Sequence, residues 1–428
     1  MKAVILASGQ GSRMGYRTKA LIKLAGRRII DRTIILLKPY ISEFVFVVRA
    51  DNDELEKYLE KHWKGEIKYR IVKNPVPERG NGYTFLLASQ AVGNEKFVLT
   101  MSDHVYSKEF IQKAVKLRGL IGDFKPKYVD VNEATKVKVE GNRVKDIGKN
   151  LKEFDCLDTG FFVLDGRAFE AARRVAERKE IVELSDVIRE LKPEVSDVSG
   201  EFWMDVDTPE DLKKAKKLLI SLSVKGKGDG FISRHLNRKI STRISYFLVD
   251  YVTPNQSTIL AFLVGIASAF LVFFNLPLAG IIYQFSSVLD GIDGEIARAS
   301  LRTSRFGEWM DSVLDRYVDF SFLLAVALKC AHLEYSPALP MFALMGCVMV
   351  SYTTEKFKAS YGKSAYSCIK GISYLPGKRD ERIFAEMILS ILKMPLAILA
   401  FIAVIGNLRV LLTLLLVFRS RKELESSV

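Results

Sequence analysis

Residues 290–298 read D-G-I-D-G-E-I-A-R and, after eight further residues, residues 307–315 read G-E-W-M-D-S-V-L-D. The stretch contains four aspartates: Asp290, Asp293, Asp311 and Asp315. The surrounding sequence is apolar enough to cross a membrane, and carboxylates at that depth are costly unless a function retains them. The first pair is three residues apart and the second pair four apart, so each pair lies on one face of its own helix. Because carboxylate oxygens without histidine or cysteine favour Mg²⁺ or Mn²⁺, the stretch predicts two helices that share a divalent metal site.

The complete pattern, D-x2-D-G-x2-A-R-x8-G-x3-D-x3-D, resembles the signature of the CDP-alcohol phosphotransferases. These membrane enzymes displace CMP from a CDP-alcohol with a second alcohol. The resemblance implies that the first three aspartates bind metal, and that Asp315 is the base and also touches metal. The segment T-P-N-Q-S-T at residues 253–258 resembles the family's first span and implies three nucleotide-binding residues: Pro254, Asn255 and Thr258. Ion pairing within a helical bundle is the alternative, but four acids beside one arginine leave excess negative charge.

Small and basic residues complete this predicted site. Gly294 lets the helices and the nucleotide approach closely, Ala297 keeps the same face narrow, and Arg298 can contact phosphate. The charged stretch R-D-E-R at residues 379–382 would be costly if it faced lipid, so we interpret it as part of a pocket for an anionic acceptor. The predicted acceptor-binding residues are basic: Lys358, Arg379 and Arg382. The alternatives are a structural small-residue contact for the glycine and topology-setting charge for Lys358.

Length and composition indicate one soluble and one membrane part. The chain has 428 residues, of which 49% are hydrophobic and 27% are charged. Up to about Ser221 short apolar strands alternate with amphipathic helices, whereas after Tyr246 apolar segments near the roughly 20 residues needed to span a bilayer dominate. We predict an α/β Rossmann-like domain followed by an all-α domain with six transmembrane helices. The predicted boundaries are 1–222 for a cytoplasmic domain, 223–230 for a linker, 231–250 for a juxtamembrane amphipathic helix and 251–428 for the membrane domain.

The distribution of basic residues predicts the membrane topology. A formal net charge of +14 could indicate nucleic-acid binding, but in the second half Lys and Arg concentrate in alternate loops, so we expect no nucleic-acid partner. The chain begins directly with the strand K-A-V-I-L-A, and no secretory signal is visible. We therefore expect a multi-pass protein of the cell membrane with both termini and both sites on the cytoplasmic side, and the sequence leaves room for a homodimer. The predicted spans are 255–274, 278–298, 306–331, 337–356, 372–392 and 395–418.

The opening of the first half carries a second motif. M-K-A-V-I-L-A-S-G-Q-G-S-R-M-G at residues 1–15, followed by T-K-A-L at 18–21, is a strand, a glycine loop and a lysine. Its spacing differs from both the G-x-G-x-x-G and the Walker patterns. It resembles the signature of the sugar nucleotidyltransferases, in which a glycine-rich loop wraps a nucleoside triphosphate. The resemblance implies that Arg13 and Lys19 are catalytic cations. It also implies these nucleotide-binding residues: Ala7, Ser8, Gly9, Gly11, Asn81 and Gly82.

Further segments follow in the order of that family. V-L-T-M-S-D ends in Asp103, which resembles the family's metal-binding aspartate, and F-W-M-D-V-D supplies a second acid at either Asp205 or Asp207. Mg²⁺ or Mn²⁺ would bridge these acids to the triphosphate. Taken singly, each aspartate is also explained as a helix cap. The resemblance implies four acceptor-binding residues in G-K-N-L and D-T-G-F-F: Lys149, Asp158, Thr159 and Gly160.

The two motif sets suggest consecutive reactions. Because the second half takes a CDP-alcohol, the economical inference is that the first half makes one from CTP and a phosphorylated alcohol. The whole chain resembles the family of fused inositol-1-phosphate cytidylyltransferases and di-inositol-phosphate phosphate synthases, which make CDP-inositol and couple it to a second inositol-1-phosphate. Two alternatives stay open. One is CTP-dependent activation of another sugar or polyol phosphate, with transfer to a lipid acceptor in phospholipid synthesis. The other is a transporter or scaffold with an inactive transferase domain.

Overall fold

The computed structural model describes three parts of the chain: residues 1–9, 18–224 and 230–426. Gly11 and Arg13 of the predicted glycine loop, and residues 225–229 of the predicted linker, lie outside the described residues. The chain divides into two compact units, Met1–Lys217 and Leu218–Val428. The domain boundaries inferred from composition stay a prediction.

The first unit is built on a mixed central sheet, partly parallel and partly antiparallel. Its strands are β1 (Lys2–Ala7), β2 (Lys23–Leu24), β3 (Arg27–Arg28), β4 (Glu43–Arg49), β5 (Tyr69–Asn74), β6 (Phe97–Met101), β7 (His104–Tyr106), β8 (Gly119–Asp123), β9 (Lys136–Glu140), β10 (Arg143–Gly148), β11 (Cys156–Leu164), β12 (Val195–Asp197) and β13 (Trp203–Asp205). Among the described residues the main sheet has nine strands, in the order β10-β9-β11-β6-β1-β4-β5, with β8 on β11 and β12 on β8. Strands β1, β4, β5 and β6 form a parallel part, and β11 pairs with its neighbours antiparallel. Strand β1 is parallel to both neighbours, and Ala3, Val4 and Ile5 are fully buried because both faces of the sheet are covered.

The helices that accompany this sheet are α1 (Ile29–Leu37), α2 (Glu54–Trp63), α3 (Asn81–Leu87), α4 (Ser89–Val92), α5 (Lys108–Ala114), α6 (Arg167–Arg178) and α7 (Leu184–Leu191). Helix α8 (Pro209–Leu222) follows them and runs past Lys217, the last residue of the first unit. Phe85 of α3 stacks on Phe169 of α6 with ring centroids 4.7 Å apart, and Phe169 stacks on Phe97 of β6 at 5.0 Å. This aromatic packing fixes α3 against the sheet. The Rossmann-like α/β fold predicted for the first half is confirmed.

The second unit is helical throughout its described residues. Its α-helices are α9 (Arg238–Leu248), α10 (Pro254–Phe274), α11 (Leu276–Ala299), α12 (Arg305–Lys329), α13 (Ala338–Tyr361), α14 (Ala365–Cys368), α15 (Arg379–Ile391), α16 (Pro395–Arg419) and α17 (Arg421–Ser426). Two of these helices begin at capping residues that can be recognised in the sequence. The hydroxyl of Thr253 caps α10, where Pro254 occupies the first turn, and the side chain of Asn275 caps α11 by accepting from Leu278 N.

Three of the described helices are long and apolar enough to cross a membrane, namely α10, α13 and α16. The other predicted spans carry charged side chains, many of them turned into the unit. Glu295 of α11 is completely buried, and Asp319 of α12 and Arg382 of α15 are each 2% exposed. These charged side chains are buried inside the unit, where they meet other polar groups. The count of six spans stays a prediction.

The fifth predicted span differs from the structure in where its helix starts. The prediction placed it at 372–392, but helix α15 begins at Arg379 and is preceded by a 3₁₀ helix, Lys370–Tyr374. Pro376 has no backbone N–H to donate, and Gly377 adopts φ +84°, so the chain turns there instead of continuing a helix. At 13 residues α15 is about 20 Å long, shorter than the roughly 30 Å of a bilayer's apolar core.

The predicted juxtamembrane helix contains one turn of π-helix, Ser233–Asn237, followed directly by α9. Its buried face is polar rather than apolar. Ser241 and Ser245 are completely buried, whereas Phe231 and Phe247 are 64% and 68% exposed. The aromatic side chains therefore face away from the unit, while the hydroxyl groups pack against the rest of it.

Candidate functional site

A cavity of about 560 Å³ lies in the first unit, where strands β1 and β6 end. Parallel strands bring their carboxyl ends to the same edge of a sheet, so residues distant in sequence converge there. Of the predicted residues that the structure describes, six line this cavity: Ala7, Ser8, Gly9, Lys19, Asn81 and Asp103. The start of α3 forms one wall, because Gly80 and Thr84 line it too.

Lys19 lies between two of the predicted acids. Its Nζ atom donates to Asp207 Oδ1 at 2.5 Å and to Asp103 Oδ2 at 3.4 Å. Burial opposes the charge on Lys19, but the two carboxylates outweigh this effect and raise the pKa of the lysine. Asp205 is exposed and lies opposite His104 in the β13–β7 pair. The sequence did not decide between Asp205 and Asp207. In the structure, Asp207 is the acid that contacts Lys19 together with Asp103.

His104 is a residue of this site that the sequence reasoning missed. Its Nδ1 atom hydrogen-bonds with Asp103 Oδ1 at 2.9 Å. Burial acts to raise the pKa of Asp103, but the hydrogen bond and charge of His104, together with Lys19, bring it down to about 2. The ring also lies against Gly160, where an added Cβ would be 2.3 Å from His104 Nε2. The sequence feature that could have indicated this residue is its position directly after Asp103, the last residue of V-L-T-M-S-D.

Two predicted nucleotide-binding residues hold the start of α3 in place. Asn81 Oδ1 accepts a hydrogen bond from the backbone N–H of Leu184 at 2.7 Å. Gly82 approaches the backbone so closely that an added Cβ would lie 2.7 Å from the carbonyl oxygen of Glu183. Glycine is therefore required at position 82 for packing, whether or not it contacts a nucleotide.

The predicted acceptor residues of the first unit differ in their surroundings. The Thr159 hydroxyl is completely buried and donates to the carbonyl of Ile121 at 2.7 Å, so it supports the sheet. Asp158 Oδ1 accepts from Gly160 N at 2.9 Å, and burial raises the pKa of this carboxyl to about 6. Gly160 has φ +67°. Lys149 is exposed, and its carbonyl accepts from Lys136 Nζ at 2.8 Å.

The second unit gathers three of its four predicted metal ligands. Asp290 of α11 and Asp311 and Asp315 of α12 each offer an oxygen, and these oxygens lie within 4.8 Å of one another. The donors are all hard carboxylate oxygens, which fit Mg²⁺ or Mn²⁺. The predicted convergence of the two helices therefore occurs in the structure.

Asp293 is held by a neighbouring helix. Thr258 of α10 donates from Oγ1 to Asp293 Oδ2 at 2.5 Å, and the backbone N–H of Gly294 donates to Asp293 Oδ1. Asp293 is 9% exposed. In the structure, Thr258 is thus a direct partner of this acid.

Arg379 enters the acid cluster from α15. Its Nη1 atom lies 3.1 Å from Asp290 Oδ2 and 2.9 Å from Asp315 Oδ1. Its Nε and Nη2 atoms donate to Asp319, and Tyr283 donates its hydroxyl to the same carboxylate at 2.9 Å. The sequence reasoning missed Asp319, although it continues the four-residue spacing of Asp311 and Asp315.

A second cavity, of about 250 Å³, adjoins these acids. Asp290, Asp315 and Arg379 contribute to its wall. The other charged and hydroxyl-bearing lining residues are Ser233, Arg238, Ser241, Ser287, Tyr366, Lys378 and Asp380. Its surface therefore offers cations and hydroxyl groups next to the carboxylate cluster.

The remaining predicted acceptor residues lie elsewhere. Lys358 donates to Glu308 at 2.6 Å on the exposed surface. Arg382 is 2% exposed, and its Nη1 atom donates to the carbonyl of Gly377 at 3.5 Å. Neither is among the described residues that line the second cavity. Of the three predicted acceptor residues, only Arg379 is among the described residues that line the second cavity.

The predicted nucleotide residues of α10 and α11 are only partly gathered. Pro254 begins α10 and Asn255 is exposed, with its Oδ1 atom 3.3 Å from where a Cβ on Gly307 would be. The guanidinium of Arg298 covers Gly294, where a Cβ would lie 2.9 Å from Nη1. The carbonyl of Ala297 accepts from the backbone N–H of Arg302 at 2.7 Å.

Comparison with known proteins finds a matching family model in each half of the chain. Residues 3–120 match the model of the MobA-like NTP transferase domain, and residues 251–376 match that of the CDP-alcohol phosphatidyltransferases. A bifunctional IPC transferase and DIPP synthase from Archaeoglobus fulgidus is 50% identical over 98% of this chain and 85% of the relative. The protein of the same name from Aquifex aeolicus is 49% identical over 98% of each. The chain belongs to this family of bifunctional IPC transferases and DIPP synthases.

The family assignment agrees with both candidate sites. Asp103 lies within the nucleotidyltransferase match, and the carboxylate cluster lies within the CDP-alcohol match. This member of the bifunctional family is therefore an enzyme with both transferase domains, as predicted. A solved structure of the inositol-1-phosphate CTP transferase from T. maritima covers 50% of this chain and 96% of its own, with 25% identity and a TM-score of 0.45.

Proposed function

We propose that the chain activates inositol-1-phosphate with CTP and then transfers the inositol-phosphate group of CDP-inositol to a second inositol-1-phosphate. The observation that carries this proposal is the match along 98% of the chain to relatives that are named for both activities. The two candidate sites support it, because in each of them several carboxylate side chains lie together beside a basic side chain, Lys19 in the first and Arg379 in the second.

In the first reaction a phosphate oxygen of inositol-1-phosphate attacks the α-phosphorus of CTP. One P–O bond forms, the bond to the β,γ-diphosphate breaks, and pyrophosphate leaves, so no protein nucleophile is needed. Lys19 lies on the cavity wall, where its charge would offset that of the triphosphate. Arg13 would add a second cation by resemblance. Asp103 and Asp207 would hold a divalent cation here.

In the second reaction a hydroxyl of the acceptor attacks the phosphorus that bears inositol, and CMP leaves with the bridging oxygen. Asp315 would accept the hydroxyl proton. Asp290, Asp293, Asp311 and Asp315 are the proposed ligands of Mg²⁺ or Mn²⁺. Bound there, the ion would polarise the diphosphate and stabilise the leaving CMP. Arg379 would fix the orientation of Asp290 and Asp315 through its Nη1 contacts.

The second cavity is our proposed acceptor site. It places the side chains of Arg238, Lys378 and Arg379 beside several hydroxyl groups. Cations suit a phosphate, and hydroxyl groups suit a polyol ring. Of the acceptor residues predicted from sequence this proposal includes Arg379, and it adds Arg238 and Lys378.

We further propose a multi-pass membrane protein with both termini and both sites on the cytoplasmic side. The apolar helices α10, α13 and α16 support membrane insertion. A homodimer through the membrane unit stays a prediction.

The deciding experiment follows the phosphorus-containing products of the purified, detergent-solubilised chain. CTP, Mg²⁺ and inositol-1-phosphate are mixed, and pyrophosphate, CMP and diester are followed by phosphorus NMR. Pyrophosphate, CMP and a water-soluble diester support both reactions. A diester formed only when lipid is added, and extractable with it, would replace the proposed acceptor with a lipid. No pyrophosphate would reject inositol-1-phosphate as the first substrate.

A further inference from the structure

Glu295 is a buried carboxylate that the proposed chemistry leaves unused. It lies on α11 between the two aspartates of that helix and Arg298, and it is completely buried. Its Oε1 atom accepts from Ser241 Oγ at 2.6 Å, and its Oε2 atom accepts from Ser245 Oγ at 2.7 Å. Arg238 Nη1 lies 3.1 Å from Oε1. A buried charge is tolerated when it is paired and hydrogen-bonded in this way.

The three partners of Glu295 among the described residues all come from α9. Arg238, Ser241 and Ser245 are spaced by three and four residues, which places them on one face of that helix. One carboxylate on α11 therefore sets both the position and the rotation of α9. This explains why the buried face of α9 carries serine rather than apolar residues.

The arrangement also directs Arg238 to the proposed acceptor cavity. Arg238 Nη1 donates to the carbonyl of Gly291 at 3.3 Å, and the residue lines the cavity together with Asp290 and Lys378. Its side chain remains 17% exposed. A Cβ on Gly291 would lie 2.6 Å from Nη1, so glycine at this position makes room for the guanidinium. The planar guanidinium has five N–H donors, and fixing Nη1 sets the direction in which the others point.

We infer that Arg238 binds the phosphate of the phosphorylated acceptor and that Glu295 is a positioning residue that aims Arg238 into the cavity. This inference rests on the proposed second reaction and specifies how its acceptor is recognised. A fixed guanidinium loses little conformational freedom when it binds, so its orientation contributes to affinity for the acceptor. Glu295 touches no substrate, and its effect on acceptor affinity is exerted through the orientation of Arg238.

The test uses the full-length chain in detergent and measures CMP release from CDP-inositol at varied inositol-1-phosphate. Arg238→Gln should raise the KM for inositol-1-phosphate about tenfold to a hundredfold, the usual range for a lost charged hydrogen bond, with kcat changed much less. Glu295→Gln should raise the same KM about threefold to tenfold, because Arg238 remains but is no longer fixed. The double variant should be no worse than Arg238→Gln alone, since both act through one group.

Thr242→Ala is the matched control. It removes a hydroxyl from the same helix, but this hydroxyl donates to the carbonyl of Arg238 rather than to Glu295. Its KM for inositol-1-phosphate should equal that of the unmodified chain. Pyrophosphate release from CTP serves as an internal check on the first unit in every variant.

Gly291→Ala provides a second approach should Glu295→Gln fail to fold. The added methyl group displaces the guanidinium but leaves the carboxylate and both serines in place, so the acceptor KM should again rise. An unchanged acceptor KM in Arg238→Gln, or a rise in the KM for CDP-inositol instead, would overturn the inference. Effects of Glu295→Gln on thermal stability alone would also overturn it. Absence of CMP release from the unmodified chain would instead reject the proposed second reaction.

Discussion

Arg379 and Asp319 form a two-point ion pair inside the second unit: Nε of the arginine donates to both carboxylate oxygens at 3.1 and 3.0 Å, and Nη2 donates to Oδ1 at 2.9 Å. Asp319 is 2% exposed. The pair leaves Nη1 of Arg379 pointing at Asp290 and Asp315. Asp319 therefore sets the direction of a cation that touches two of the proposed catalytic acids.

Asp319→Asn should slow the second reaction. The amide keeps the shape of the carboxylate but loses its charge, so Arg379 is held less firmly and kcat/KM for CMP release should fall on the order of tenfold. Glu308→Gln is the matched control, because Glu308 is an exposed acid on the same helix that pairs with Lys358. Equal activity of Asp319→Asn and the control would show that Asp319 does not position Arg379 for the reaction.

The two sites should be separable by mutation. Asp290→Asn removes a ligand charge from the second site and should reduce CMP release by at least about a hundredfold, while pyrophosphate release stays normal. Asp103→Asn should do the reverse. Both rates are measured on the full chain, with CTP as substrate for the first and CDP-inositol for the second. Loss of both activities in either folded variant would contradict independent sites.

Asp207 and Asp205 should differ strongly in the first reaction. Asp207 shares Lys19 with Asp103, whereas Asp205 is exposed. Asp207→Asn should therefore lower the rate of pyrophosphate release by about a hundredfold, and Asp205→Asn by less than about threefold. Each variant serves as the control for the other. A larger loss in Asp205→Asn would assign the second metal ligand to that residue.

Asp158 should make the first unit less stable as pH rises. Burial raises the pKa of its carboxyl to about 6 in the folded chain, above its unfolded value. The folded state thus binds the proton more tightly, and the free energy of unfolding falls as pH increases from about 4 through about 6. Asp158→Asn removes this cost and should raise Tm at pH 7 but not at pH 4. Thermal unfolding with a chelator present measures this, and a pH-independent difference would count against it.

The spacing of acids along one helix can be read from the amino-acid sequence alone. Asp311 and Asp315 share a face because of the helical period, and apolar flanking residues predict the helix that holds them. The same period extends to Asp319, but that residue lies beyond the family pattern and was not predicted. Strand β1 is equally readable, because a short apolar run that leads into a glycine loop predicts a buried parallel strand.

Contacts between helices are much less predictable. The cost of charge in a membrane drew attention to Arg379, but its pairing with Asp319 depends on where α15 lies relative to α12. Arg382 carries the same charge three residues later and turns to the carbonyl of Gly377 instead. Composition alone does not distinguish these two arginines, because the direction of each side chain is set by the neighbouring helices.

By itself the sequence determined the two domain types, the order of their motifs and which acids share a helix face, since these depend on residues close together in the chain. The tertiary structure decided that Asp207 rather than Asp205 joins Asp103 at Lys19, and that Glu295 holds Ser241 and Ser245. Both arrangements bring together side chains that are far apart in the sequence. Their distance in space and their burial, rather than their spacing along the chain, decide which polar groups pair.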